Sequence, residues 1–227
     1  MVDANEKKII TAPHIILCEG LDDESFFRHF ANSIVDDPTI VQFQVMSYGG
    51  KDGLEIFLRN FHLMPNFKSV KSLMIVRDSD QDMENAEKSI TNALRRADYT
   101  VPSMLCELAP PEENKRHPRT AYVLLPGILT ASKGCLEDLC LDILRNPSDL
   151  RMGIAQNAVN ELVTAAEQSK DLRLTNPTKN KLYTYFSLTN NLLGCTVGAA
   201  VQRKVFDFDS QRLEPLRKLL IEILELG

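Results

Sequence analysis

Two apolar runs that stop abruptly at acidic residues constrain this chain more than any other feature. Ile15-Ile16-Leu17-Cys18 breaks off at Glu19-Gly20, and Leu73-Met74-Ile75-Val76 breaks off at Arg77-Asp78-Ser79-Asp80. Short uninterrupted apolar runs bounded in this way read as strands buried on both faces. That is the pattern of a parallel sheet, and open parallel sheets collect ligands at the carboxyl ends of their strands. Glu19, Asp78 and Asp80 would then meet in one crevice. Crowded carboxylates repel unless a cation lies among them, and hard oxygen donors suit Mg2+ or Mn2+ better than zinc.

Strand and helix patterns alternate through the first half. Asp22-Asp23 can cap a helix carrying Phe26, Phe27, Phe30 and Ile34 on one face. Val41 to Met46 alternates as a strand and ends at Gly49-Gly50. Asp52-Gly53-Leu54-Glu55 has the form of a capping box opening a second helix. After Asp80 comes a helix with Ala86, Ile90, Ala93 and Leu94 on one face, then an expected strand over 101–108, a proline-rich loop over 109–119, and a strand from Ala121 to Leu125. A helix with Leu136, Leu139, Cys140 and Ile143 on one face follows Gly134. From about residue 147 the pattern is wholly helical. The expected architecture is an α/β domain over residues 1–146, a parallel sheet flanked by helices, with an all-helical extension over 147–227 packed on it.

The order strand-Glu-Gly, helix, strand, helix, strand-Asp-x-Asp resembles the Toprim domain of topoisomerases, bacterial primases and several nucleases. Leu17-Cys18-Glu19-Gly20-Leu21-Asp22-Asp23-Glu24, Tyr48-Gly49-Gly50-Lys51 and Gly134-Cys135-Leu136-Glu137-Asp138-Leu139 look most like stand-alone Toprim-like proteins of unknown function. Those are similar in turn to the nuclease half of the overcoming-lysogenization-defect (OLD) family. Lys179 to Tyr185 and Val205-Phe206-Asp207-Phe208-Asp209 resemble the tail of the same group. The resemblance implies a magnesium-dependent phosphoryl-transfer site. Glu19, Asp78 and Asp80 match the family's metal ligands and proton-handling acid, and Asp23 and Glu137 match the acids that complete a second metal position. A basic residue from the C-terminal part is also implied. Lys179, Lys181 and Lys204 match it equally well by motif, and Lys181 is taken as the expected catalytic lysine. Two cations about 4 Å apart would clamp a phosphodiester between the attacking water and the leaving oxygen.

Plainer readings stand beside these. Asp-Ser-Asp can simply cap the following helix, and Asp22 and Asp82 read better as caps than as ligands. Asp138 is a solvated helix residue or an outer partner of the site. Gly20, Gly50 and Lys51 could present amides and an ammonium to a substrate phosphate, although turn formation alone explains the glycines. Gly49-Gly50-Lys51-Asp52 lacks the spacing and hydroxyl of a P-loop. Lys115, Arg116, His117 and Arg119 could track a nucleic-acid backbone, but Glu112 and Glu113 favour a solvated loop. Arg95-Arg96 suits the end of a helix dipole, and Tyr183 and Tyr185 read as packing residues.

A net charge of −5 argues against a broadly basic nucleic-acid footprint, though a carboxylate-rich metal site itself lowers that sum. The five cysteines follow no ligand spacing and read as free thiols of a reducing compartment, and no apolar run is long enough to span a bilayer. Without a signal-like apolar core in Met1 to Lys8, a cytoplasmic location is expected. The expected function is a Mg2+- or Mn2+-dependent nuclease with DNA or RNA as substrate. The alternatives are a non-catalytic metal- or nucleic-acid-binding module within a larger complex, and a metal-dependent phosphohydrolase of nucleotides. A homodimer or a protein partner is compatible with either.

Overall fold

The computed structural model describes residues 9–35, 37, 41–50, 52–111, 117–128, 133–146, 148–169, 174 and 176–226. Four parallel strands form its sheet: β1 (His14–Cys18), β2 (Phe43–Ser47), β3 (Ser72–Asp78) and β4 (Arg119–Leu125), in the order β2-β1-β3-β4. Leu17 pairs in register with Met46 on one side and Ile75 on the other, and Asp78 faces Leu125. Alternate residues of each strand point to opposite faces, and both faces are dry. Ile16, Met74, Val76 and Val123 enter one core, while Ile15, Leu17, Leu73, Ile75 and Leu124 enter the other. This double burial explains why β1 and β3 carry apolar runs, while β2, at the sheet edge, alternates.

The second face is covered by α2 (Gly53–Phe61) through Leu54, Leu58 and Phe61, and by α3 (Met83–Arg96) through Ile90 and Leu94. The first face carries α1 (Leu21–Asn32) and α4 (Leu136–Ile143). Behind them lie α5 (Leu150–Gln168), α6 (Pro177–Ser187), α7 (Val197–Gln202) and α8 (Glu214–Leu224). These later helices share their core with α1 and the sheet. Leu182, Phe186, Val197, Leu216 and Leu220 belong to the same buried cluster as Phe26 and Val123. Phe208 packs edge-on against Phe26 and Phe30, with ring centres 5.4 and 5.6 Å apart. None of the described helices is long and apolar enough to cross a membrane, and all five cysteines are free thiols.

Two expectations are corrected. Residues 101–108 form no strand, because Cys106 takes a left-handed φ of 57° and Pro102 supplies no amide donor. The segment still covers the outer edge of β4, with the Cys106 and Ala109 amides donating to the Tyr122 and Thr120 carbonyls at 2.9 and 2.8 Å. Asp52 does precede α2, but its side chain makes no capping hydrogen bond. Glu55 turns instead to Arg59 at 2.8 Å and to Arg96 of α3 at 2.9 Å.

Candidate functional site: a carboxylate cluster at the carboxyl ends of β1 and β3

The site begins where β1 runs out. The Glu19 carbonyl accepts from the Gly50 amide at 3.1 Å and from Ser47 Oγ at 3.0 Å, which ties the end of β1 to the turn after β2. Gly20 then opens α1 with extended backbone, and its amide donates to Asp23 Oδ2 at 3.0 Å. Asp23 thus closes the first turn of its own helix while its carboxyl stays in the crevice. The Gly20 and Gly50 amides, expected as possible phosphate donors, donate here to Asp23 Oδ2 and to the Glu19 carbonyl; Lys51 lies outside the described residues.

At the end of β3, Asp78 Oδ1 accepts from the Leu136 amide, the first of α4, at 3.0 Å. Two residues on, Asp80 adopts a left-handed φ of 51° and exchanges backbone hydrogen bonds of 2.8 Å in both directions with Gly134. The turn after β3 and the loop entering α4 are therefore bolted together. Gly134 has a φ of +138°, and a Cβ there would lie 2.4 Å from Asp138 Oδ2, so no other residue fits without displacing Asp138. Asp138 in turn caps α4, accepting from the Cys135 amide at 2.9 Å and from Thr178 Oγ1 at 3.0 Å. These bonds give it a structural task.

Glu137, one residue earlier, is only 4% exposed, and Lys179 of α6 reaches it at 3.1 Å. Burial works against the Lys179 ammonium, but its hydrogen bond and charge pairing with Glu137 outweigh this and hold it above its ordinary range. Lys179 is the C-terminal lysine that meets the cluster. The expected Lys181 lines a neighbouring cavity with Arg145 and Arg212, and Lys204 lines another beside Arg151 and Tyr185. No spacing rule in the sequence could have made that choice, because it depends on how α6 docks against α4.

Electrostatics show which carboxylates share the crevice. The Asp78 carboxyl is pushed up to about 8 by burial first, then by the charges of Asp23, Glu137 and Glu19; the Leu136 amide pulls the other way. Asp23 is pushed up to about 6 by burial, opposed by the Gly20 amide and reinforced by Glu137 and Glu19. Burial and the Asp23, Glu24 and Asp78 charges likewise raise the Cys18 thiol, so it stays protonated at the floor of the site. Asp80 lines an adjoining cavity of about 310 Å3 with Lys133 and Asp138. Arg77 turns to the opposite face and donates to Ser89 Oγ of α3 at 2.7 Å. Asp22 caps the distant α7, accepting from the Gly198 amide at 3.0 Å, and Asp82 caps α3.

Glu19, Asp23, Asp78 and Glu137 bring only oxygen donors, and their mutual repulsion is the kind a divalent cation relieves, so the donor chemistry fits Mg2+ or Mn2+. They do not form a closed cage. Among the described residues, no three His, Cys, Asp or Glu side chains are grouped as a ready-made metal-binding set.

The fold and site define an α/β protein with a buried acidic crevice at the carboxyl ends of a parallel sheet. A family described as proteins of unknown function, DUF3226, matches residues 13–225, and the chain belongs to it. A comparison with curated proteins found no match. Among solved structures, the chain is similar to the C-terminal region of the Xanthomonas campestris pv. campestris OLD protein. The two are 12% identical with a TM-score of 0.45, over 96% of this chain and 98% of that one.

Proposed function

We propose that this protein is a Mg2+- or Mn2+-dependent hydrolase of nucleic-acid phosphodiesters on a Toprim-like scaffold. The observation that carries this reading is the gathering of Glu19, Asp23, Asp78 and Glu137 from three separate segments into one buried field, where burial first and the charges of the other three acids second raise the Asp78 carboxyl to about 8. A fold that gathers four acids at strand ends, against a steep desolvation cost, has a use for a cation there. The parallel sheet flanked by helices is consistent with a Toprim-like fold.

Glu19, Asp78, Asp23 and Glu137 would hold the ion, with Asp80 at the mouth. A bound divalent cation supplies charge stabilisation at the phosphodiester and activation of the attacking water. The chain's own residues do the rest. The Leu136 amide fixes one oxygen of Asp78, the Asp80–Gly134 bridge fixes the turn, and Lys179 neutralises Glu137 and brings a positive charge to the rim. A second reading, a module that binds without turnover, is favoured by one observation: Lys179 already pairs with Glu137 while the acids stand short of a cage.

The test is incubation of the purified chain with supercoiled plasmid and with end-labelled RNA in Mg2+ or Mn2+, beside Asp78→Ala and Glu19→Ala. The nuclease reading predicts metal-dependent cleavage that both variants lose. An intact substrate with the wild-type protein, or cleavage that both variants keep, would sink it.

A further inference from the structure

A second polar cavity, of about 390 Å3, lies on the far side of Asp138. Its walls carry four cations from four separate segments: Lys133 before α4, Arg145 after it, Lys181 on α6, and Arg212 in the turn Gln211–Leu213. Two carboxylates face them, Asp138 and Asp142. Both Asp138 oxygens are already engaged, one by the Cys135 amide and one by Thr178. Asp142 meets Arg212 only at 4.0 Å, with both side chains solvent-accessible, a contact too loose to neutralise the cation. Among the described residues, Lys133, Arg145 and Lys181 form no ion pair. The α4 dipole accounts for a cation at Arg145, but not for two lysines and an arginine brought in from elsewhere. In a chain of net charge −5, this concentration of positive charge is a local reversal.

The position of the cavity supplies its meaning. It shares Lys133 and Asp138 with the cavity lined by Asp80, two residues beyond Asp78 on the same turn, so the two cavities adjoin at the edge of the carboxylate cluster. We infer that the Lys133, Arg145, Lys181 and Arg212 cavity holds a backbone phosphate of a polynucleotide strand whose reacting phosphodiester lies at the carboxylate cluster. This rests on the phosphodiesterase reading and adds to it a subsite that selects a polymer over a single nucleotide. Phosphate is the ligand that matches cations presented singly from different segments, and a strand can span the crevice and the cavity together where a mononucleotide fills only one.

The experiment is fluorescence anisotropy with a labelled single-stranded 12-mer, once as DNA and once as RNA. It is run in EDTA over a range of salt, on the full chain and on Arg145→Ala/Arg212→Ala and Arg145→Lys/Arg212→Lys. The alanine pair should weaken binding about tenfold and reduce the slope of log affinity against log salt by about 0.7, the share of one phosphate contact on a single strand. The lysine pair should keep the wild-type slope. The DNA and RNA arms show which backbone the cavity accepts. Unchanged affinity and slope in an alanine variant with wild-type melting, or no measurable binding by the wild type, would overturn the inference. A protein that cleaves yet ignores these substitutions loses only the subsite; one that binds through them but never cleaves loses only the nuclease reading.

Discussion

Replacing Asp78 by asparagine should stabilise the cation-free protein, and the gain should grow with pH. The folded chain raises this carboxyl from an ordinary 3.8 to about 8, by burial and by the charges of Asp23, Glu137 and Glu19. A native-state pKa above the unfolded one means that the folded state holds the proton more tightly. The stability tied to that proton is fully present below pH 3.8 and is lost as pH rises toward 8. The displacement corresponds to about 6 kcal/mol of cost for the ionised form in the folded chain. Solvent at the partly open crevice and movement of the neighbouring acids absorb part of this, so we expect a gain of about 2–3 kcal/mol above pH 8 and none at pH 4. The amide oxygen of asparagine can still accept from the Leu136 amide, so the α4 contact survives. In EDTA the variant should melt roughly 5–10 °C above the wild type at pH 8.5. Urea titrations at both pH values separate the charge effect from packing. An Asp78→Asn variant that is destabilised equally at both pH values would refute the electrostatic account of this site.

Lys179→Met should cost about 1–2 kcal/mol in urea unfolding, because Glu137 keeps its burial and loses its ammonium; the half-exposed lysine limits the effect. No change in midpoint would mean that the pair contributes nothing. Gly134→Ala should destabilise by about 2 kcal/mol or more, since its Cβ meets Asp138 Oδ2 at 2.4 Å and φ is +138°. Wild-type melting of that variant would show that the Asp138 cap is dispensable. Asp22→Ala should cost about 1 kcal/mol by leaving the Gly198 amide in the first turn of α7 without its acceptor while the Thr196 cap remains, and should raise amide exchange across Val197–Gln202 more than in the sheet. Uniform exchange would argue against that assignment.

The strands were legible because double burial leaves an unbroken apolar signature, and their ends were legible because Glu19 and Asp78 interrupt it. Asp82 behaves as its position suggests, but Asp22 caps a helix 176 residues away, which no local pattern encodes. The Asp52–Glu55 spacing failed as a capping box because Glu55 had stronger partners in Arg59 and in Arg96 of another helix. Residues 101–108 show strand-like apolarity because they cover β4, yet a left-handed Cys106 and a Pro102 without an amide donor prevent a ladder. Gly20 and Gly50 were recognisable as turn residues, whereas the destination of their amides depended on the neighbouring Asp23 and Glu19. The approach of Lys179 rather than Lys181 to Glu137 is a property of helix docking, and lies beyond any spacing rule.

The claim that these carboxylates form a cation site is tested most directly by calorimetric titration of the wild type with Mn2+ at pH 7 in two buffers of different ionisation enthalpy. With Asp78 still holding its proton at that pH, binding should release about one proton per ion, and both uptake and proton release should vanish in Asp78→Asn and Glu19→Gln. No uptake at millimolar Mn2+, or uptake that both variants retain, would contradict the account.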